Sequence, residues 1–156
     1  MGRLQDLRIR QLDDTLSRIQ SAHEHPAPRD GWVKTIRTAL GMSLRQLAER
    51  VGLSKTAVHS IETNEPEGTV QLDSLRSLAE GLDCELVYAL VPRGQSSLHG
   101  ILDRQAERIA ERVVSRVSDS MELEEQGVEA SERTRQIQEL KAELLRERGR
   151  TFWDVG

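Results

Sequence analysis

A single cysteine, Cys84, leaves this chain of 156 residues without a partner for an internal disulfide, which points to a reducing interior and to a small buried hydrophobe at that position. Long apolar runs are missing too. The longest, residues 86–91, falls far short of the roughly 20 residues that span a bilayer, and the N-terminus opens on charged residues rather than on a signal-peptide core. A cytoplasmic protein without membrane association is expected. No Gly-rich phosphate loop is present, and no serine, cysteine, histidine or carboxylate set is arranged as a nucleophile with its base, so catalysis is not expected. His23 and His25 bracket Glu24 without further ligands at helical or loop spacing, so neither a metal nor a cofactor is expected. Internal repeats and low-complexity tracts are likewise absent.

What is there supports one compact domain with extensions, given an apolar content of 37%. The net charge is −4, yet its distribution matters more than its sum. Residues 29–63 carry Arg29, Lys34, Arg37, Arg45, Arg50 and Lys55 against Asp30, Glu49 and Glu62, a local surplus of cations. The tail from Gln95 onward leans acidic, which keeps it off nucleic acid and leaves it for protein contacts. The two halves are expected to do different jobs.

The densest local signals lie in residues 43–62, SLRQLAERVGLSKTAVHSIE. Ser43 followed by Gln46 is a capping box, in which hydroxyl and amide each satisfy a backbone N–H left free at a helix start. Leu44, Leu47, Ala48 and Val51 keep to one face, and Gly52 can then turn with positive φ. Leu53 plugs the corner, Ser54 caps a second helix, and Val58 and Ile61 give that helix a narrow apolar stripe. Lys55, Thr56, His59, Ser60 and Thr63 face outward, short polar groups with one cation, of a kind that suits insertion into a major groove. Two amphipathic helices joined by a glycine turn also make an αα-hairpin with no ligand. What separates the readings is the combination of Ala48, Gly52, Val58, Ile61 and the following Glu62, which resembles the Xre-type repressor family, including the phage repressors. That resemblance implies that Arg37, one helix earlier, pairs with Glu62 in a structural role. From the outward face of the motif, DNA contacts are expected from Ser43 and Arg45 at phosphates and from Ser54, Lys55, Thr56, His59, Ser60 and Thr63 at the second helix.

The remaining chain reads mostly as helix. Residues 3–20 carry an apolar stripe of Ile9, Leu12, Leu16 and Ile19, and residues 23–28, HEHPAP, break it at Pro26 and Pro28. Asp30 is the expected cap of the next helix, with Trp32, Val33, Ile36 and Leu40 pointing inward and Gly41 ending it. Asn64 to Gly68 is expected to turn around Pro66. Leu72, Leu75, Leu78, Ala79 and Leu82 then repeat at helical spacing. CELVYALV at 84–91 is rich in strand formers and ends at Pro92. A lone strand needs a partner, and either a second copy across a two-fold axis supplies it or the segment packs within the chain without a ladder. From residue 98 to about 123 a helix should present Leu102, Ala106, Ile109, Val113, Val117 and Met121. Gly127 interrupts it, and a further helix over roughly 131–148 carries Ile137, Leu140, Leu144 and Leu145. Phe152 and Trp153 near the end are expected either as a docking contact or as a fold back onto a neighbour.

The fold expected is therefore all-α, a phage-repressor-like bundle with one short strand and a C-terminal helical extension. Its divisions are residues 1–28 as helix and linker, 29–92 as the helix-turn-helix domain and 93–156 as an interaction or dimerisation region. Over nearly the whole chain, RQLD at 10–13, GWVKTIRTALGMSLRQLAERVG at 31–52, LDCELVYALVP at 82–92, MELEEQ near 121 and FWD near the end resemble the mobile mystery protein A family. The resemblance implies a bacterial helix-turn-helix protein encoded beside a Fic-domain protein, an arrangement similar to a toxin and antitoxin pair. It implies an antitoxin-like autorepressor that binds double-stranded DNA, with a Fic-domain partner; the alternative is an interaction module that neutralises the partner and keeps the helix-turn-helix as scaffold. The edge of residues 86–91 and the charged C-terminal helices, without obvious partners in one chain, add the expectation of a homodimer and hence of a palindromic operator. Antitoxins acting on Fic proteins often present Ser or Thr, three residues, Glu, then Gly or Asn on a helix, and Thr63, Glu67 and Gly68 match those letters. Pro66 inside the spacing disfavours that helix.

Overall fold

The computed structural model of the chain describes residues 2–22, 26–94, 96–118 and 126–154. Helices α1 (Gly2–Ala22), α2 (Trp32–Ala39), α3 (Leu44–Val51), α4 (Lys55–Asn64), α5 (Leu72–Gly81), α6 (Leu98–Ser118) and α7 (Gln126–Glu147) are followed by a 3₁₀ turn, Arg150–Trp153. Two compact units result. Residues 23–89 form one, and α1 joins the chain from residue 90 onward to form the other. The first helix therefore does not stand apart as residues 1–28, because Ile9 on its stripe packs with Leu102, Ala106 and Phe152 far downstream; Leu12, expected on the same stripe, is exposed.

In the central unit α2 to α5 close around Val33, Leu47, Ala48, Val58, Leu78 and Leu82, with Ile36, Met42, Leu44, Val51, Ile61 and Leu75 packed against them. Local chemistry starts each helix of the pair α3 and α4. The Ser43 hydroxyl accepts from the Gln46 amide at 3.2 Å while Gln46 Oε1 accepts from the Ser43 N–H at 2.8 Å. Gly52 ends α3 in the left-handed region, and the Ser54 hydroxyl accepts from the Ala57 N–H at 3.1 Å. Close approach of α3 and α5 depends on Gly81, where a β-carbon would lie 2.3 Å from Val51 Cγ1 and 2.9 Å from Leu47 Cδ1.

Trp32 and Leu40 are exposed (51% and 59%) because the core covers only one side of the eight-residue α2, where Val33 and Arg37 are the buried positions. Asp30 does not cap α2; it pairs with Lys34 at 3.5 Å, and Gly31 holds the cap position. Residues 84–91 form no strand, since the described chain offers no second strand to pair with, and Cys84 is exposed rather than buried. The Thr63, Glu67 and Gly68 pattern does not lie on one helix. Helix α4 ends at Asn64, and Glu65, Pro66, Glu67 and Gly68 turn back, the Gly68 and Thr69 N–H groups donating to Glu65 O and Asn64 O.

In the other unit α6 packs against both α7 and α1, around Leu102, Ala106 and Phe152 with Ile9, Ile109, Leu144 and Leu145. Ala110 and Val114 are the buried continuation of the α6 stripe, whereas Val113 and Val117 are exposed. Small residues at 106 and 110 let helices approach closely, and the packed line runs through them and Val114 instead of Val113 and Val117. Phe152 is buried, its carbonyl accepting from Gln105 Nε2 at 2.8 Å, and only Trp153 of the two terminal aromatics is exposed. Asp13 on α1 caps α6 from a distance, accepting from the Leu98 and His99 N–H groups at 2.6 and 3.2 Å. Gly127 lies inside α7 instead of breaking a helix. The histidines of the HEHPAP segment and Met121 with most of MELEEQ lie outside the described residues.

Candidate nucleic-acid interface

Lys55, Thr56, His59, Ser60 and Thr63 are all exposed on α4. At about 100° of rotation per residue they share one arc of about 140° of the helix. Val58 and Glu62, outside that arc, are buried. Within the arc the Thr63 hydroxyl donates to His59 O at 2.9 Å, and Asn64 Nδ2 donates to Ser60 Oγ at 3.4 Å. The Thr56 hydroxyl has no partner among the described residues. Such a face offers hydroxyl donors and acceptors, an imidazole and one ammonium to whatever lies against it.

The serines at the helix starts have a first task already. Ser43 and Ser54 use their oxygens as caps, leaving each hydroxyl proton to donate outward. Arg45 stands exposed on α3, 3.8 Å from Glu49 in a loose pair that restrains it little. Arg50 differs: its Nε donates to Gly81 O at 2.6 Å, so this cation, part of the basic surplus in the sequence, caps the end of α5.

What aims the α4 face is a pair of carboxylates near its C-terminal end. Glu62 receives Arg37 in a two-pronged bond, Nε to Oε1 at 2.6 Å and Nη2 to Oε2 at 3.0 Å, with Arg37 8% and Glu62 3% exposed. Arg37 Nη1 also donates to Met42 O at 2.8 Å. The hydrogen bond to Glu62 holds the guanidinium above its ordinary value, against the opposing effect of burial, with the nearby negative charge adding to the rise. A buried pair of this kind fixes orientation more surely than it stabilises.

Glu65 is the second tie, and no local signal marked it. Its carboxylate accepts from the Trp32 N–H at 2.8 Å and the Val33 N–H at 3.0 Å, the two free donors at the start of α2, where a negative charge also complements the helix dipole. Gly31 makes room, since a β-carbon there would sit 2.7 Å from Glu65 Oε2. Glu62 and Glu65 thus grip α2 toward its two ends, and α4 is held in a set orientation with its polar arc outward.

No group of three or more histidine, cysteine, aspartate or glutamate side chains among the described residues is placed to hold a metal ion. No described helix is long and apolar enough to cross a membrane. No curated protein and no solved structure matches the chain. Residues 33–88 match the family model described as helix-turn-helix, and this segment of the chain is accordingly an Xre-like helix-turn-helix domain of the DNA-binding regulatory kind.

Proposed function

We propose that the protein is a sequence-specific repressor that binds a palindromic operator as a homodimer, reads bases with the outer arc of α4, and serves as the antitoxin-like partner of a Fic-domain protein. The observation that carries the reading is the exposed hydroxyl-rich face of α4, held by Glu62 and Glu65 against α2. Thr56, Ser60, His59 and Lys55 have the reach and chemistry for base edges, while Arg45 and the hydroxyls of Ser43 and Ser54 suit phosphates, which position a protein without specifying sequence. Thr63 lies at the end of the same arc. The test is titration of the full chain against the DNA upstream of its own gene and against an unrelated duplex of equal length. Tighter binding to the upstream DNA is expected; equal binding to both overturns the reading.

The Fic-domain pairing rests on the resemblance to the mobile mystery protein A family. It is supported by an acidic C-terminal chain and by exposed apolar residues on α1, where Leu4, Leu7 and Leu12 are 72%, 52% and 51% exposed. Because Glu67 lies in a turn, a helical inhibitory motif at 63–68 has no support. Co-expression with the neighbouring Fic-domain protein is expected to yield a silenced complex with the wild-type chain and with Glu67→Ala alike. Loss of silencing by Glu67→Ala alone would return the inhibitory role to that turn.

A further inference from the structure

In the unit built from α1, α6 and α7 a cavity of about 260 Å³ gathers cations, although the chain from residue 95 onward leans acidic. Arg10 of α1, His99 of α6, and Arg146 and Arg148 at the end of α7 line it, with Leu102 and Leu145 as its apolar part. Asp6 is the single carboxylate among the described lining residues, and it is already taken, accepting from Arg148 Nη2. The guanidinium groups of Arg10 and Arg146 have no ion pair or hydrogen bond among the described residues. Like charges brought to one cavity by different helices repel each other unless an anion lies between them.

Arg148 carries two further marks. Its φ of 29° lies in the left-handed region, where a helix ordinarily ends on glycine, yet the arginine holds that place and Gly149 only follows it. A residue with a side chain held there costs free energy, and such positions gather where a ligand is gripped. Arg148 Nε is also shut off from solvent without a hydrogen-bond partner among the described residues, which is costly for a donor. A side chain kept in place at both costs has a task that the pair with Asp6 alone does not explain.

We infer that this cavity binds a small molecule carrying a phosphate monoester. Arginine suits phosphate because its planar fork meets two oxygens at once. The charge selects the ligand: with Asp6 neutralised by Arg148, the open guanidinium groups of Arg10 and Arg146 leave two positive charges. A phosphate monoester, at about −1.5 to −2 near pH 7, matches them better than a single carboxylate does. His99 adds an imidazole beside them. Size limits the rest of the ligand, because the cavity lies just below the roughly 300 to 1,000 Å³ of ordinary small-molecule sites. Leu102 and Leu145 then take a body of a few carbon atoms. A DNA backbone phosphate is a singly charged diester within a long polymer, and it fits neither the charge nor the size. The site adds a small-molecule input to the unit that carries none of the base-reading residues, and it stands whether or not α4 reads DNA.

The test is calorimetric titration of glycerol 3-phosphate into the full chain, in chloride buffer at constant ionic strength and without DNA. One saturable site per chain is expected, and inorganic phosphate should compete for it. Arg10→Gln and Arg146→Gln change exposed side chains and leave the fold alone, and each should weaken binding about tenfold, as for a lost hydrogen bond to a charged group. Arg148→Lys keeps a cation for Asp6 but loses the fork and the Nε–H, and it should weaken binding as well, with far-ultraviolet circular dichroism confirming that the helices remain. Hydrogen exchange should slow at the start of α6 and the end of α7 when glycerol 3-phosphate is bound. Absence of saturable binding, binding that inorganic phosphate does not displace, or binding that the three arginine changes leave untouched overturns the inference. Equal slowing at these helix ends by an unrelated DNA duplex overturns it too, by giving the arginines to DNA. The titration against upstream DNA is read separately, so its failure removes the regulator and leaves the phosphate site standing.

Discussion

The two units of the chain solve the same problem of orienting helices with different means. Residues 33–88 hold α4 through a core of aliphatic side chains, through the buried two-pronged contact of Glu62 with Arg37, and through the partly exposed two-pronged contact of Glu65 with the start of α2. The other unit relies on a thin seam of Leu102, Ala106 and Phe152, and on partly exposed charge pairs such as Lys141 with Asp103 at 2.7 Å. In the first unit the Arg37 and Glu62 charges are buried and bidentate; in the second the charge pair of Lys141 with Asp103 lies at the rim. Both units also share a device, a carboxylate that caps a helix from far along the chain, Glu65 for α2 and Asp13 for α6.

Removing Glu62 alone, by Glu62→Ala, should be the most damaging change. It leaves Arg37 buried and uncompensated, at a cost of about 3–5 kcal/mol. Hydrogen exchange should show protection lost in α2 to α5. Replacing both partners together, Arg37→Met with Glu62→Leu, should recover most of that loss, since a buried ion pair and a packed apolar pair of similar volume are close in stability. Phe152→Ala is the matching test of the other unit. It empties the middle of the seam at a cost of about 3–5 kcal/mol, and exchange should rise in α6 and α7. If either variant raised exchange equally in both units, the contrast between them would be lost.

Gly81→Ala should follow, at about 1–3 kcal/mol by overpacking, because the new methyl group meets Val51 and Leu47 on α3. Glu65→Ala should cost about 1 kcal/mol, as for a lost helix cap, whereas Asp30→Ala should cost almost nothing. Denaturant titration of the pair distinguishes the structural cap from the one expected by position in sequence.

The smallest effect concerns pH. The hydrogen bond to Asp103 leads the interactions that hold the Lys141 ammonium above its ordinary value of 10.5, with Glu107 adding and burial opposing. A raised folded-state value means that its contribution is complete below the ordinary value and disappears as pH rises through the folded one. Stability of the wild type relative to Lys141→Met should therefore be flat between about pH 6 and 9 and fall only at strongly alkaline pH. A difference that changes near neutrality would contradict that account.

Much of the central unit was legible because its signals are local. Ser43 with Gln46, Gly52, Ser54 and the spacing of Leu47, Val58 and Leu78 announce helix starts, a turn and a core within a few residues of one another. Glu65 was not legible, since its partners at 32 and 33 lie more than 30 residues away in the chain and any surface glutamate reads the same. Nor was the packing of α1 legible, because an amphipathic stripe says that a helix needs a cover without naming it. On α6 the hydrophobic valines at 113 and 117 outscored Ala110, although close packing favours the smaller side chain. The exposed state of Trp32 and Leu40 followed from α2 being only eight residues long and covered on one side.

The most direct test of the account is selection of bound duplexes from a random DNA pool by the wild type, Thr56→Ala, Ser60→Ala and Arg45→Ala. The wild type should recover a palindrome with half-sites about one helical turn apart, roughly 34 Å or a multiple of it. Thr56→Ala and Ser60→Ala should each relax preference at particular positions, worth about 1–3 kcal/mol per base contact. Arg45→Ala should recover the same palindrome with uniformly weaker binding. Recovery of no common sequence by the wild type, or the same uniform weakening from all three variants, would contradict base reading by the outer face of α4.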